Sequence, residues 1–301
     1  MTHKQLNNLQ AADILRLQNT LIHDPIHPHI HTADMPFRVT STWQDHNCQF
    51  SIWEENDQIL AWAVFQPAWW NLDCWVHPSQ KGSLMEKELI EWGVEQMKSY
   101  RQRTGETFWG SVEFFEDEKS EAQTAGLLLD LGFKKFEWST VRLAHNLSAD
   151  AVPSNPETPK PFSVRPLRGS AEVEAYVDLH RAAFGSDKMT AAWRKRTLQH
   201  PAYRPELDLV IADADDRPVG FCICWLSGTL GHIEPLGVHP DYQGLGLGMA
   251  LEQAAVATLH QHGAQTVFID HTSFNETAIA LSQKNGFKQV NNALRYYVEI
   301  D

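Results

Sequence analysis

The sequence predicts an α/β fold in which a mixed, mostly antiparallel twisted sheet is flanked by helices, and it predicts that this plan occurs twice. Strand-like apolar runs alternate only partly with helical stripes, which favours a mixed sheet over an all-parallel one. Val76-His77-Pro78 and Val238-His239-Pro240 each lead into a glycine and then a helical pattern. Further on, Leu127 to Lys134 and Leu281 to Lys288 both close on Gly-Phe-Lys before a final strand-like run. Repetition of one grammar in one order points to internal duplication.

A chain of 301 residues has room for two medium domains. Its 43% apolar and 10% aromatic content is that of an ordinary folded protein. No apolar run approaches the length that crosses a bilayer, and Met1-Thr2-His3-Lys4-Gln5 does not read as a signal peptide, so a cytoplasmic location is expected. Cys48, Cys74, Cys222 and Cys224 are too few and too scattered for a disulfide framework. Cys222 and Cys224, two apart in a strand-like run, are expected to pack on one sheet face. The net charge of −13 argues against nucleic acid or an anionic membrane as partner and leans towards a cationic substrate.

The best linker is 148–161, which holds Pro153, Pro156, Pro159 and Pro161 and almost nothing to bury. It separates expected domains at 1–147 and 162–301. In the second, Ser163 to Leu167 reads as a first strand, and Glu172 to Phe184 as a helix with a stripe at Val173, Tyr176, Val177 and His180. Ala191 to Leu198 is a second helix. Leu207 to Ala212 and Val219 to Leu226 form a hairpin about Asp213-Ala214-Asp215-Asp216-Arg217-Pro218. Gly231 to Val238, Thr266 to Ile269 and Arg295 to Ile300 read as strands, with a helix at Glu276 to Lys284.

The chemistry concentrates after Val238. His-Pro ends the strand, Gly244, Gly246 and Gly248 follow at alternate positions, and Met249 to Leu259 has helical spacing. Glycines clear side chains from converging backbone N–H groups, and the helix dipole adds to them, so the loop suits a phosphate. A P-loop would need a lysine after the glycines, and Met249 stands there. A dinucleotide fingerprint would place a third glycine at Met249, and it would follow its strand directly, whereas His239 to Gln243 intervene; Asp270 would be its ribose-binding acid.

Gln243-Gly244-Leu245-Gly246-Leu247-Gly248 instead resembles the Gln/Arg-x-x-Gly-x-Gly/Ala signature of the GNAT superfamily of acyl-CoA-dependent N-acetyltransferases. Asn275 to Phe287 is similar to that superfamily's Asn-x-x-Ala-x-x-Leu-Tyr-x-x-x-Gly-Phe, with Ser282 in place of the tyrosine. The resemblance covers Phe162 to Asp301 well and the first half faintly, so two tandem GNAT-like domains are expected. It implies acetyl-CoA as co-substrate, a small-molecule primary amine as acceptor, no metal, and a monomer or homodimer.

Such a transfer needs a neutral amine, a stabilised carbonyl oxygen and a leaving thiolate. The resemblance gives Glu234 the role of general base, with His232, on the same strand face, as alternative base or relay. It turns the N–H of Leu236 to the acetyl carbonyl, with Gly237 beside it, and pairs Val238 with the pantetheine arm. Gln243, Gly244, Leu245, Gly246, Leu247, Gly248 and Met249 would hold the pyrophosphate, and Asn275 the CoA chain or simply the helix end. Ser282 stands where a tyrosine usually protonates the thiolate, so either Ser282, water, or Tyr296 or Tyr297 on the last strand must serve. A noncatalytic acyl-CoA sensor and a duplicated scaffold are the rival readings.

Leu84 and Glu86 occupy the positions of Gly246 and Gly248 in the first half. A carboxylate repels a pyrophosphate and a Cβ narrows the approach, so 1–147 reads as a degenerate copy that has lost CoA binding. His23, His27, His29 and His31 lie among prolines in an extended segment that does not preorganise a tetrahedral metal site. Most tryptophans there, such as Trp53, Trp62 and Trp92, are expected in the core, and Trp69-Trp70 beside Pro67 is expected to line a pocket.

Overall fold

The computed structural model describes residues 2–6, 11–21, 33, 35–40, 49–67, 69–115, 121–147 and 157–301. The four histidines from His23 to His31, Cys48 and most of the proline-rich linker lie outside them. Two compact units emerge: 1–32, 41–141 and 291–301 form the first, and 33–40 with 142–290 the second. These units cut the chain differently from the expected 1–147 and 162–301. A short helix from the first half joins the second unit, and the last strand joins the first.

In the first unit, β1 (Thr2–Leu6), β2 (Gln49–Glu55), β3 (Gln58–Gln66), β4 (Asn71–Val76) and β5 (Phe108–Phe115) follow in sheet order, with α1 (Ala11–Leu21), α3 (Leu84–Thr104) and α4 (Glu121–Asp130) around them. The other short helix, α2 (Met35–Thr40), belongs to the second unit. The first three strands pair antiparallel, while β4 and β5 are parallel, at Asn71–Ser111 and Leu72–Val112. The far edge of β5 is covered by β12 (Lys288–Ile300), which runs antiparallel to it from Ala293–Phe115 to Ile300–Phe108. β6 (Lys134–Asn146) follows β12 in the order. Met85, Leu89, Ile90, Trp92 and Met97 of α3 bury against Ala61, Phe65, Leu72 and Val112, joined by Leu294, Tyr296 and Ile300 of β12. Removing that much apolar surface from water is the main stabilising term. Trp53, Trp62 and Trp92 are buried as expected, and Trp69 and Trp70 line a cleft of about 390 Å³ with Phe108, Trp109 and Phe136.

In the second unit the order runs from the end of β6 through β11 (Thr266–Thr272), β10 (Leu230–Val238), β9 (Pro218–Ser227) and β8 (Asp208–Ala212) to β7 (Ser163–Pro166). α5 (Val173–Phe184), α6 (Ala191–Gln199) and α2 cover one face through Val173, Tyr176, Val177, Trp193 and Phe37, which meet Val210, Phe221, Ile223 and Trp225. Phe37 stacks on Trp193, and Arg196 Nε donates to the Thr40 carbonyl at 3.0 Å, so α2 is tied to α6 by ring packing and a hydrogen bond. α7 (Leu247–Gln261) packs on β9 and β10, and α8 (Glu276–Lys284) lies against α7. Cys222 and Cys224 are buried with sulfurs 3.7 Å apart, as i and i+2 neighbours on one face should be.

Element boundaries follow the sequence reading to within a few residues except at the last strand, which begins at Lys288 rather than Arg295. No described helix is long and apolar enough to cross a membrane.

Candidate active site

Strand β10 parts from its parallel neighbour. Their ladder runs from Leu230–Thr266 to Ile233–Ile269 and stops, although β10 continues to Val238 and β11 to Thr272. On its other side β10 shifts register against β9 between Ile233 and Leu236, around Pro235, which has no N–H to give the ladder. The result is a gap walled by Glu234 to Val238 on one side and Asp270 to Thr272 on the other.

The glycine loop stands at the end of that strand. His239 Nδ1 accepts from the Asp241 N–H at 3.2 Å and starts a turn at Pro240–Tyr242. Gly244 and Gly246 then take left-handed backbone, φ +76° and +78°, which a side chain would strain. Alternating left-handed residues curl consecutive N–H groups into a concave nest for an anion. Gly246 caps α7 with no side-chain hydrogen bond, and no acceptor among the described residues meets the N–H groups of 244–248. A Cβ on Gly248 would make only ordinary contacts, 3.5 Å to Leu281 Cδ1 and 3.9 Å to Val238 Cγ2, so packing within the chain does not demand glycine there. Unanswered donors, an exposed loop and a glycine without an internal reason fit a bound diphosphate.

Glu234 is half-buried, and Trp225 Nε1 fixes its backbone by donating to its carbonyl at 2.8 Å. Its carboxylate is among the charges that raise the Tyr176 phenol, whose largest cause is burial. His232 is buried, with Nε2 3.8 Å from Asp270 Oδ2. Asp270 is gripped by Arg142, Nε to Oδ1 at 3.0 Å and Nη2 to Oδ2 at 2.9 Å, which takes up the two oxygens a ribose would need. Leu236 and Val238 are half-buried on the gap wall, and Asn275 caps α8 by accepting from the Ala278 N–H at 3.2 Å.

The two candidate tyrosines fall in the first unit. Tyr297 belongs to the first unit, its ring against Phe136 and Trp109, 4.5 and 5.1 Å between centroids. Tyr296 is buried in the first unit's core on Phe114. Register explains both, because β12 pairs Tyr296 with Val112 and Tyr297 with Ser111. Ser282 is the one buried residue of α8, and its hydroxyl is already bonded. It donates to Glu252 Oε2 at 2.7 Å and lies 2.8 Å from His271 Nε2. Asn285 Nδ2 holds the other Glu252 oxygen at 2.8 Å. Burial lifts the Glu252 carboxyl to about 7, against the lowering effect of Asn285 and Ser282, and burial depresses the His271 imidazole to about 4. Sequence reading missed both groups. The available signal was Glu252 itself, the single charge between Leu247 and Leu259. Among the described residues no group of three or more His, Cys, Asp or Glu is arranged to hold a metal.

A strand that splits from its parallel neighbour and feeds an uncapped, glycine-rich helix start makes a gap with an anion-binding nest at its foot. Residues 173–287 match the family model described as acetyltransferase (GNAT) family, and the chain carries a domain of that family. The chain is 28% identical over 184 residues to a mycothiol acetyltransferase of Salinispora tropica, covering 57% of this chain and 58% of that protein. It is 31% identical over 99 residues to N-alpha-acetyltransferase 30 of Schizosaccharomyces pombe, covering 31% and 65%. The chain spans about half the length of the mycothiol acetyltransferases it matches. Two solved structures share the fold over nearly the whole chain. A GCN5-related N-acetyltransferase from Sphaerobacter thermophilus has TM-score 0.68 at 18% identity, covering 99% and 96% of the chains. A tandem GNAT protein from the clavulanic acid biosynthesis pathway has TM-score 0.68 at 13% identity, covering 100% and 99%.

Proposed function

We propose that the second unit transfers an acetyl group from acetyl-CoA to a primary amine of a small molecule by direct attack. The observation that carries this reading is the unanswered nest of N–H groups at 244–248, at the foot of the gap between β10 and β11. Gln243 to Met249 hold the pyrophosphate, Gly237 and Val238 line the pantetheine arm, and Asn275 adds a contact beside its capping bond. The Leu236 N–H faces the acetyl carbonyl and stabilises charge as it builds there. Glu234 takes the proton of the amine, whose free pKa is about 10, so that the nitrogen lone pair is available to attack. His232, buried 3.8 Å from Asp270, is the alternative base or a relay. The acidic balance of the chain supports a cationic amine; the reading takes the setting as cytoplasmic and the protein as a monomer or homodimer.

Titration calorimetry with coenzyme A tests the nest: one site of micromolar affinity is expected, and no heat would remove the reading. A thiol-release assay over a panel of amines then separates an enzyme from a noncatalytic sensor. Glu234→Gln is expected to lower kcat roughly 10² to 10⁴-fold, the usual worth of a positioned base, with acetyl-CoA binding retained. Unchanged activity in that variant would retire Glu234 as base.

A further inference from the structure

Glu252, Ser282 and His271 make a three-membered hydrogen-bonded chain that the reaction as described so far does not use. It runs from the middle of α7 through α8 to β11, with separations of 2.7 and 2.8 Å. His271 lies two residues past the last β10–β11 pair, on the wall of the gap, and its ring is only partly buried. Its Nε2 is taken by Ser282, which leaves Nδ1 outside the chain. Position 282, where the family pattern places its phenolic acid, is the middle link of this chain.

We propose that Glu252 stores a proton and delivers it through Ser282 and His271 to the leaving thiolate, in place of the missing tyrosine. The inference rests on the acetyl-transfer reading above. In the loaded chain the Glu252 O–H donates to Ser282 Oγ, the Ser282 O–H donates to His271 Nε2, and His271 Nδ1 carries its N–H. As the amine nitrogen forms its bond to the acetyl carbon, the C–S bond breaks and sulfur keeps the electron pair. The Nδ1 proton moves to sulfur, the Ser282 proton to Nε2 and the Glu252 proton to Ser282 Oγ, leaving Glu252 as carboxylate. The amine's own proton leaves through Glu234 to water, and a proton from water reloads Glu252, so the charges balance.

The surroundings support such a store. Glu252 is buried among neutral partners: Asn285 and Ser282 bond it, Gln253 Nε2 bonds Asn285 Oδ1 at 2.9 Å, and the nearby Cys222 thiol is raised well above its usual range. Burial therefore holds its carboxyl near 7, able to give or keep a proton around neutrality. Around His271 the charged groups are Asp270, which favours protonation, and His232, which opposes it; Arg142 pairs with Asp270. Burial, with His232 acting in the same direction, outweighs Asp270, so the imidazole stays neutral and passes protons between its nitrogens.

The test combines kinetics with nitrogen NMR on the full chain labelled at histidine. In the wild type kcat should fall as pH rises through about 7, since the proton-bearing form of Glu252 is lost. Glu252→Gln and Ser282→Ala should each lower kcat 10 to 100-fold and abolish that descending limb. Their KM for acetyl-CoA and its calorimetric affinity should stay within twofold, and Ser282→Thr should restore most of the rate. Without any substrate, the His271 proton should sit on Nδ1 below pH 7 and on Nε2 above it, and Glu252→Gln should freeze this switch. Variants that bind acetyl-CoA yet keep wild-type kcat and pH profile would overturn the proposal, as would a His271 tautomer that does not change between pH 5.5 and 8.5. Should the wild type acetylate no amine at all, the acetyl-transfer reading fails, while the tautomer measurement still decides whether the chain exists.

Discussion

The loops after Val76 and Val238 begin alike to the last detail and then part. His77 and His239 share φ −54° and ψ near 136–137°, and each accepts the N–H two residues on at 3.2 Å. Gly82 and Gly244 are both left-handed, φ +71° and +76°. At the next glycine position the first copy has Leu84, which enters the helix directly behind Ser83, whose hydroxyl caps Met85 at 3.1 Å. The second copy has left-handed Gly246 and begins its helix one position later. Glu86 then turns back into the first loop, accepting from the Gly82 N–H at 2.6 Å and from Thr124 Oγ1 at 3.0 Å. The Leu84 side chain is 78% exposed. The plug is the Glu86 carboxylate, which supplies internally the negative charge that the second loop leaves to a ligand. A degenerate anion site thus need not lose its architecture; it can acquire its own anion.

Exchanging features between the loops gives graded expectations. Gly248→Glu, which imports the plug, should weaken coenzyme A binding more than 100-fold by calorimetry while the thermal midpoint holds, since glutamate suits a helix better than glycine. An unchanged affinity would show that the nest does not hold the phosphates. Gly246→Ala should cost about 1–2 kcal/mol for a Cβ at positive φ, read as roughly tenfold weaker binding and a lower midpoint. In the first copy, Glu86→Gln should lower unfolding stability by about 1–2 kcal/mol in denaturant titrations, through weaker bonds to Gly82 and Thr124. It should create no second coenzyme A site, because the Ser83 hydroxyl still occupies the Met85 N–H at the helix start. A stoichiometry of two would mean that Glu86 alone silences that copy.

What the sequence makes legible here is local. The glycines, the His-Pro turn and the Asn275–Phe287 pattern are contiguous, and each dictates its own backbone, so the duplication and the loop could be read directly. The closing turns repeat as well: Phe133 N–H reaches the Leu128 carbonyl at 2.9 Å and Phe287 N–H the Ser282 carbonyl at 3.1 Å. The partner of Arg295 to Ile300 could not be read, since alternation along a strand says which faces are apolar and nothing about whose edge it joins. That is why the sequence leaves Tyr296 and Tyr297 unassigned, while the structure groups them with the first unit. The Glu252–Ser282–His271 chain joins positions 30 and 11 residues apart, a juxtaposition that only the packing of α7, α8 and β11 creates. Met35–Thr40 has too few residues to advertise which core its Phe37 enters.

The closing strand of the first unit also bears on how the polypeptide can be made. Until residues 291–300 emerge from the ribosome, Phe108–Phe115 presents an open, aromatic edge with no neighbour on one side. Such an edge invites pairing with another chain. Cutting the gene at the proline-rich linker would make that transient hazard permanent, so the amino-terminal half should be studied with residues 291–301 still attached.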